Sequence, residues 1–209
     1  LGDLLKVRHG RSQKGIEVSD GKYPILATGG EIGRTNEYLF SKPSVLIGRK
    51  GTIDKPRYMT APFWTVDTLF YTEIFDNADP KYVFYKFSTI DWYLYNEASG
   101  VPSLNAKTIE GIEVALPPTR EEQSAIAAVL SDVDDLISLL SLKIEKKRSI
   151  KIATLQQLLT GKKRLPGFTD KWEKKDLGSV SEKIIGGGTP SRSNPSFWKG
   201  DIPWVTVKD

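Results

Sequence analysis

The chain has 209 residues, of which 39% are hydrophobic and 27% are charged, the proportions of a globular protein with enough apolar surface for a core. It has no cysteine and no run of about 18 apolar residues, which excludes disulfide scaffolds, thiolate metal sites, cysteine nucleophiles and membrane spans, and fits a reducing cytoplasm. The net charge of +4 is uneven: residues 1–57 carry 11 Lys and Arg against 6 Asp and Glu, whereas residues 58–118 carry 3 against 8, a polarity that suits an anionic partner on one side.

Residues 1–118 predict a mixed α+β domain of short strands, turns and one helix. The runs YPILAT, from Tyr23, and SVLIGRKG, from Ser44, are brief apolar segments bounded by Gly and Pro, as buried strands are. Thr65–Phe75 adds β-branched and aromatic residues with partial alternation. Pro80–Ala98 begins with a proline suited to a first helical turn, so it is predicted as a helix. The run IEVALPP is predicted as a final strand.

Three polar loops of this domain carry the small and forked hydrogen-bond donors that contact bases and phosphates. In one of them Arg49 and Lys50 lie between Gly48 and Gly51, where the backbone can approach another surface closely. A polar loop is more often only solvated, but three on one small domain favour a binding surface. The residues predicted to contact DNA are Lys14, Thr28, Gly29, Gly30, Arg34, Thr35, Asn36, Arg49, Lys50, Gly51, Thr52, Lys55, Ser99, Ser103, Asn105 and Lys107.

Residues 119–160 predict one uninterrupted helix. Thr119 and Glu122 match a capping box: the Thr119 oxygen can accept from the Glu122 amide, and the Glu122 side chain can reach back to the Thr119 amide. Gly161 supplies a stop for the helix. About 42 residues at about 1.5 Å each span about 60 Å, which is too long for a domain of this size to bury.

The apolar residues of this helix recur at steps of three and four, the period of a coiled coil, with a four-residue slip after Lys147 and Arg148. A single exposed stripe needs a partner helix, and the alternative is a helix packed on its own globular domain. The residues predicted to pair are Ile126, Leu130, Val133, Ile137, Leu140, Ile144, Ile152, Leu155 and Leu159.

Beyond the helix, residues 161–176 read as a polar connector, and residues 177–209 as the start of a second domain. The run from Leu177 echoes the run from Leu1, and Pro203 and Val205 echo Pro24 and Leu26, which indicates a duplicated domain with the helix as its separator. The chain begins without methionine and ends in the strand-like run WVTVKD, so we expect it to be a piece of a longer protein.

Five segments in this order carry a resemblance to a known family: SVLIGRKGTI, APFWTVDTLF, GVPSLNAKTIEGIEVALPPTREEQSAIAAVL, KIATLQQLLTGKKRLPGF and GGGTPSRSNPSFWKGDIPWVTVKD. Together they resemble the specificity subunit of type I restriction–modification enzymes. The resemblance implies two target-recognition domains alternating with two long antiparallel helices, so that each domain reads one half of a bipartite site in double-stranded DNA. The partner helix then comes from the same longer subunit or from a second copy.

The resemblance also implies a chain without a catalytic centre or a metal site. Such a subunit docks two methyltransferase subunits, which use S-adenosylmethionine, and the restriction (motor and nuclease) subunits that use ATP and Mg²⁺ join that core. No cofactor is then expected in this chain itself, and the complex acts in the cytoplasm.

Several catalytic interpretations are set aside. NPSF, from Asn194, lacks the second proline of the adenine-methyltransferase box, and IIGGGTPS lacks the Lys-Ser/Thr pair of a phosphate-binding loop. His9 is the sole histidine and is better explained by a surface role than by a metal or a catalytic relay. The competing hypothesis is a coiled-coil adaptor that binds protein and reads no DNA.

Overall fold

The computed structural model describes residues 1–201 and contains two compact units, Leu1–Glu145 and Lys146–Asp209. Within residues 1–201, each helix is too short or too polar to cross a bilayer.

The first unit contains seven short strands: β1 (Leu5–Arg8), β2 (Tyr23–Ala27), β3 (Gly30–Thr35), β4 (Ser44–Gly48), β5 (Arg57–Met59), β6 (Trp64–Thr65) and β7 (Leu69–Ile74). One sheet has the order β1–β7–β4–β5 with antiparallel neighbours throughout. The other has the order β3–β2–β6, in which β2 pairs antiparallel with β3 and parallel with β6.

Strand β4 is buried along its whole length because both of its faces are covered. Successive side chains of a strand point to opposite faces. Val45 and Ile47 accordingly lie in a large core cluster with Phe87 and Trp92, whereas Leu46 lies in a second cluster with residues of both sheets. The predicted strands of YPILAT and SVLIGRKG are confirmed as β2 and β4, and most of the predicted strand Thr65–Phe75 is β7.

The helix predicted over Pro80–Ala98 is shorter in the structure. Helix α1 covers Pro80–Ser88 and is followed by a separate 3₁₀ helix at Trp92–Tyr95. The chain turns between them because Trp92 packs into the core and its indole Nε1 donates to the Phe87 carbonyl oxygen at 2.9 Å, which satisfies one of the free carbonyls at the helix end.

The final strand predicted for IEVALPP is wrong, and a short helix before it was not predicted. Helix α2 covers Ala106–Glu110 and is capped by Asn105, whose side-chain oxygen accepts from the Lys107 amide at 2.9 Å. After α2 the chain meets the N-terminus instead of a sheet edge: the Gly2 amide donates to the Glu110 carbonyl at 2.7 Å. The Leu1 amino group also donates to the Ile112 carbonyl at 2.5 Å, so the start of the predicted strand contacts the N-terminus.

Helix α3 covers Arg120–Leu158, 39 residues without interruption, so the predicted long helix is confirmed. The Thr119 hydroxyl accepts from the Glu122 amide at 3.3 Å at its start, which is one half of the expected capping box. At its end Gly161 adopts φ 71° and donates its amide to the Leu158 carbonyl at 3.2 Å, as a glycine stop does.

In the second unit, the residues after α3 fold back on the end of the helix. The Trp172 ring lies against Gly161, and the Arg164 guanidinium is 5.5 Å from the Trp172 ring centroid while its Nη1 donates to the Asp170 carbonyl at 2.6 Å. A one-turn helix, α4, follows at Leu177–Val180. The strand expected around Pro203 and Val205 lies outside the described residues.

Candidate nucleic-acid interface

The turn between β2 and β3 and the loop after β4 meet at one carbonyl. The Thr28 hydroxyl donates to the Thr68 carbonyl oxygen at 2.6 Å, and the Arg49 amide donates to the same oxygen at 2.8 Å. Gly48 makes this approach possible, since a Cβ atom there would lie 2.9 Å from the Thr28 Cγ2 and 2.1 Å from the Thr52 carbonyl oxygen. Two of the three sequence-predicted loops are therefore joined at their bases.

The third loop is attached to the second by a short antiparallel bridge. Lys50 and Ser103 pair across it, the Gly51 amide donates to the Pro102 carbonyl at 2.9 Å, and the Leu104 amide donates to the Arg49 carbonyl at 2.9 Å. The backbones of the second and third loops therefore run side by side in the first unit.

Asn96 organises the third loop from the inside. Its side-chain oxygen accepts from the amides of Ala98 and Ser103, and its side-chain nitrogen donates to the Ala98 carbonyl at 2.8 Å. Within the loop, Ser99 and Val101 are exposed, and Val101 retains 66% of its accessible area. The loop thus presents a small polar and apolar tip on a fixed base.

Four basic residues lie in or beside these loops. Lys50, Lys55 and Lys107 are exposed, and none of them or Arg49 forms an ion pair within residues 1–201. The Arg49 guanidinium makes one long contact, from Nη1 to the Asp67 carbonyl at 3.3 Å. Unpaired Lys and Arg beside exposed backbone are the groups that contact nucleic-acid phosphates.

Arg57 supports this surface from below, a role that the sequence did not reveal. Its Nη2 donates to the carbonyls of Ala27 and Thr28 and so holds the β2–β3 turn. Burial lowers the pKa of Arg57, although a guanidinium stays charged in proteins. The sequence feature that could have indicated this role is a basic residue within the strand-like run RYM.

Other predicted contact residues hold the β2–β3 hairpin together. The Arg34 guanidinium donates to the carbonyls of Gly21 and Lys22 and pairs with Glu31 at 2.9 Å. Thr35 is fully buried, and its hydroxyl accepts from the Glu37 amide at 3.1 Å. The predicted polar loop from Gly30 to Thr35 is in fact strand β3, because every residue except Ile32, which lies at a register shift, has a partner on β2.

The remaining predicted residues divide between the two settings. Gly29 lies in the β2–β3 turn, Gly30 begins β3, and Thr52 is exposed beside Gly51. The Asn36 side chain accepts from the Lys22 amide at 3.2 Å, whereas Lys14 is exposed on the separate loop between β1 and β2, where its amide donates to the Ser12 hydroxyl. Within residues 1–201 no three His, Cys, Asp or Glu side chains cluster as a metal site would require.

Comparison with known proteins gives one family and several relatives. A family profile described as "Type I restriction modification DNA specificity domain" matches residues 1–148. From Methanocaldococcus jannaschii, the MjaVIII specificity subunit is 34% identical over 84 residues, covering 39% of this chain and 20% of the relative. The putative MjaX specificity subunit from the same organism is 30% identical over 148 residues, covering 64% of this chain and 35% of the relative.

A solved structure shares the fold. The type I restriction–modification S subunit from M. genitalium aligns with a TM-score of 0.60 at 19% identity, over 75% of this chain and 43% of the solved chain. The chain therefore spans less than half the length of these relatives, and the likeness to the solved chain concerns the fold alone.

Proposed function

We propose that this chain, which belongs to the type I restriction–modification DNA specificity family, reads one half of a bipartite site in double-stranded DNA and catalyses no reaction itself. In this proposal it docks the methyltransferase subunits of the complex, and the S-adenosylmethionine, ATP and Mg²⁺ chemistry belongs to its partners, including the restriction subunits. The observation that carries the proposal is the joining of three loops with four unpaired cations, Arg49, Lys50, Lys55 and Lys107, on one domain.

The loop geometry fits a groove reader for a physical reason. The shared Thr68 carbonyl and the Lys50–Ser103 bridge fix the loops before any partner arrives, so little conformational entropy is lost on binding. Phosphate contacts from Lys50 and Lys55 would position the domain, while the forked Arg49 side chain and the tip at Ser99 are suited to base edges.

We propose further that the chain pairs through α3 with another helix, either of the same longer subunit or of a second copy. All nine residues predicted to pair are exposed, with 37% to 69% of their accessible areas retained. Residues 120–135 carry five acidic side chains against one arginine, whereas residues 136–158 carry five basic side chains against one glutamate. Antiparallel pairing of two such helices sets the acidic half of each against the basic half of the other, and parallel pairing sets like against like.

DNA binding is tested with the full chain and a pool of duplexes with randomised sequence, at salt concentrations from about 50 to about 200 mM. Binding should weaken steeply as salt rises, because cations released from the phosphates drive it. The double substitution Arg49→Ala/Lys50→Ala should weaken binding further and reduce the salt slope by about one for each phosphate that the variant no longer neutralises.

The matched control is Lys42→Ala/Lys86→Ala, which removes the same charge from the first unit outside the three loops. Equal weakening by both pairs would show general charge attraction and would refute the loop assignment. A chain that retards no duplex, with or without a methyltransferase partner, would instead be the protein-binding adaptor.

Pairing through α3 is tested by sedimentation of the full chain. Leu140→Asp should abolish association, because it puts a charge on the apolar stripe. Leu142→Asp makes the same change on the same helix at an exposed position about 160° away from the centre of the stripe, and it should leave association intact. A wild-type chain that is monomeric at every concentration would assign the partner helix to the longer subunit.

A further inference from the structure

Asp79 connects the strand-rich domain to helix α3 through two hydrogen bonds and caps α1 with a third. Its Oδ1 accepts from the Tyr82 amide at 2.8 Å and so caps α1. Its amide donates to the Gln123 Oε1 at 3.0 Å, and its Oδ2 accepts from the Ser124 hydroxyl at 2.9 Å. One residue therefore fixes the start of α1 and two positions on the first turn of α3.

Tyr85 makes a second connection three turns further along α3. Its hydroxyl donates to the Asp134 Oδ2 at 2.7 Å. The Ser131 hydroxyl lies 3.2 Å from the Tyr85 hydroxyl oxygen, placed to donate to it. The Tyr85 ring is held in turn by Lys81, whose Nζ is 5.5 Å from the ring centroid, and by Phe84. Gln123 and Asp134 are separated by about 16 Å along the helix axis.

These hydrogen bonds, and not a large apolar interface, attach α3 to the domain. Gln123 and Ala127 are the two buried residues of α3, each with 3% of its accessible area exposed. Because only one of them is apolar, hydrophobic contact alone leaves the direction of the helix weakly defined. Hydrogen bonds are directional, so two sets about 16 Å apart define an angle.

The contact face and the pairing stripe lie on different sides of α3. Gln123, Ala127, Ser131 and Asp134 recur at steps of four, four and three, which is one helix face. At about 100° per residue, the stripe through Ile126 and Leu130 is centred about 95° from that face. The domain and a partner helix can therefore hold α3 at the same time without competing.

We propose that these residues form an orienting lock, defined as Asp79 and Tyr85 on the domain with Gln123, Ser124, Ser131 and Asp134 on α3, and that the lock sets the separation and rotation of the half-site that the domain reads. This inference rests on the proposed function. A rigid joint would convert the fixed geometry of a helix pair into a preference for one spacing between half-sites. Each added base pair moves the second half-site by about 3.4 Å and about 35°.

The lock itself is tested without DNA. The chain has no cysteine, so single cysteines at the exposed positions Thr60 and Lys143 can carry spin labels for pulsed EPR distance measurement. The wild-type chain should give one narrow distance distribution. Tyr85→Phe combined with Gln123→Met removes a donor and an acceptor while preserving volume, and should broaden that distribution about twofold or shift it.

The matched control is Ser88→Ala, which removes a hydrogen bond from α1 to its own Phe84 carbonyl and should leave the distribution unchanged. Ser131→Ala combined with Asp134→Ala removes both partners of Tyr85 from the helix side, and should reproduce the broadening if the first variant folds poorly. A narrow and unshifted distribution in both double variants would overturn the proposal.

The role in spacing is tested with a duplex selected by the wild-type chain. Inserting one base pair between its half-sites should weaken wild-type binding about tenfold and the lock variants distinctly less. Variants with a broadened distance distribution and unchanged discrimination would overturn the assignment to spacing. If the wild-type chain binds no duplex, the proposed function fails, while the EPR distances still decide whether the lock exists.

Discussion

The strand-rich domain buries its large apolar residues, whereas helix α3 leaves most of its own exposed. In the domain, Ile47, Phe70 and Trp92 are each at most 1% exposed. On α3, Ile137 and Leu140 retain 56% and 49% of their accessible areas. The domain thus holds its own hydrophobic stabilisation, whereas α3 beyond its contact with Tyr85 keeps an apolar stripe available for another molecule.

The difference has a geometric origin. A two-sheet domain can cover both faces of a central strand such as β4, because turns bring other strands and α1 back over it. A helix of 39 residues extends about 58 Å and cannot be covered by a domain at one end. Covering one large apolar side chain is worth about 1.5 to 3 kcal/mol, so an uncovered stripe is a large reserve of binding free energy.

The comparison predicts its largest effect inside the domain. Trp92→Ala should lower the free energy of unfolding by about 3 to 5 kcal/mol, since it leaves a cavity beside Phe87 and removes a buried hydrogen bond. Leu94→Ala, two residues away with 77% of the side chain exposed, is the control and should change it by less than about 0.5 kcal/mol. Urea denaturation measures the free energy of unfolding of both variants. Similar losses in the two would mean that Trp92 is not part of the core.

A smaller loss is expected from a buried polar network between β4 and β7. The Thr72 hydroxyl accepts from the Val45 amide at 2.9 Å and lies 3.4 Å from the Ser44 hydroxyl. Thr72→Val leaves that amide without its partner and should cost about 1 to 3 kcal/mol. The double variant with Ser44→Ala should lose less than the sum of the single losses in urea denaturation. Strict additivity would show that the two hydroxyls are independent.

Much of the fold was predictable where one local signal decided the structure. Buried strands β2 and β4 are short apolar runs between turn residues, and α3 combines a cap at Thr119, a stop at Gly161 and a regular apolar period. The end of α1 was not predictable, because it depends on Trp92 reaching a carbonyl across a turn. IEVALPP has the composition of a strand, but in the described part of the chain it joins no sheet, and its first residue, Ile112, accepts a hydrogen bond from the N-terminus.

The candidate site shows the same limit. The sequence identified the glycines and cations of the loops, and the structure joins the loops of Thr28, Arg49 and Ser103. Residue type did not distinguish an exposed donor from one engaged within the domain, as Arg34 and Thr35 are. The same applies to the orienting lock, since nothing in the sequence pairs Tyr85 with Asp134.

A pH-dependent effect of about 1 kcal/mol or less is expected where α2 meets β1, because one partner is half exposed. Burial of Glu110 pushes its pKa upward, but hydrogen bonds from Lys6 and the Val7 amide, with the nearby charges, outweigh burial and hold the pKa below its ordinary value. A lowered carboxyl pKa stabilises the fold at neutral pH, and this stabilisation is lost as the pH falls through the folded-state pKa.

Glu110→Gln keeps an oxygen for the Val7 amide and removes the charge. Wild type should therefore be more stable than the variant near neutral pH, and the gap should close as the solution becomes acidic. Urea midpoints across a pH series measure the gap, with the exposed Glu113→Gln as control. A gap that persists in acid would assign the stabilisation to packing.

The smallest effect on the free energy of unfolding is expected for a substitution on the exposed stripe of α3. This substitution tests most directly whether the stripe is uncovered while the core of the domain is buried. Leu140→Ala removes as many side-chain carbons as a core substitution would, yet it should change the unfolding free energy of the dilute, unpaired chain by less than about 0.5 kcal/mol. Alanine is also the best helix former, so the helix itself loses nothing. The same change should weaken association of the concentrated chain in sedimentation experiments, because the missing side chain then belongs to an interface. A loss of about 2 kcal/mol or more in the dilute chain, the size typical of a core Leu→Ala change, would mean that the stripe is already covered within one molecule, and the contrast between the two regions would fall.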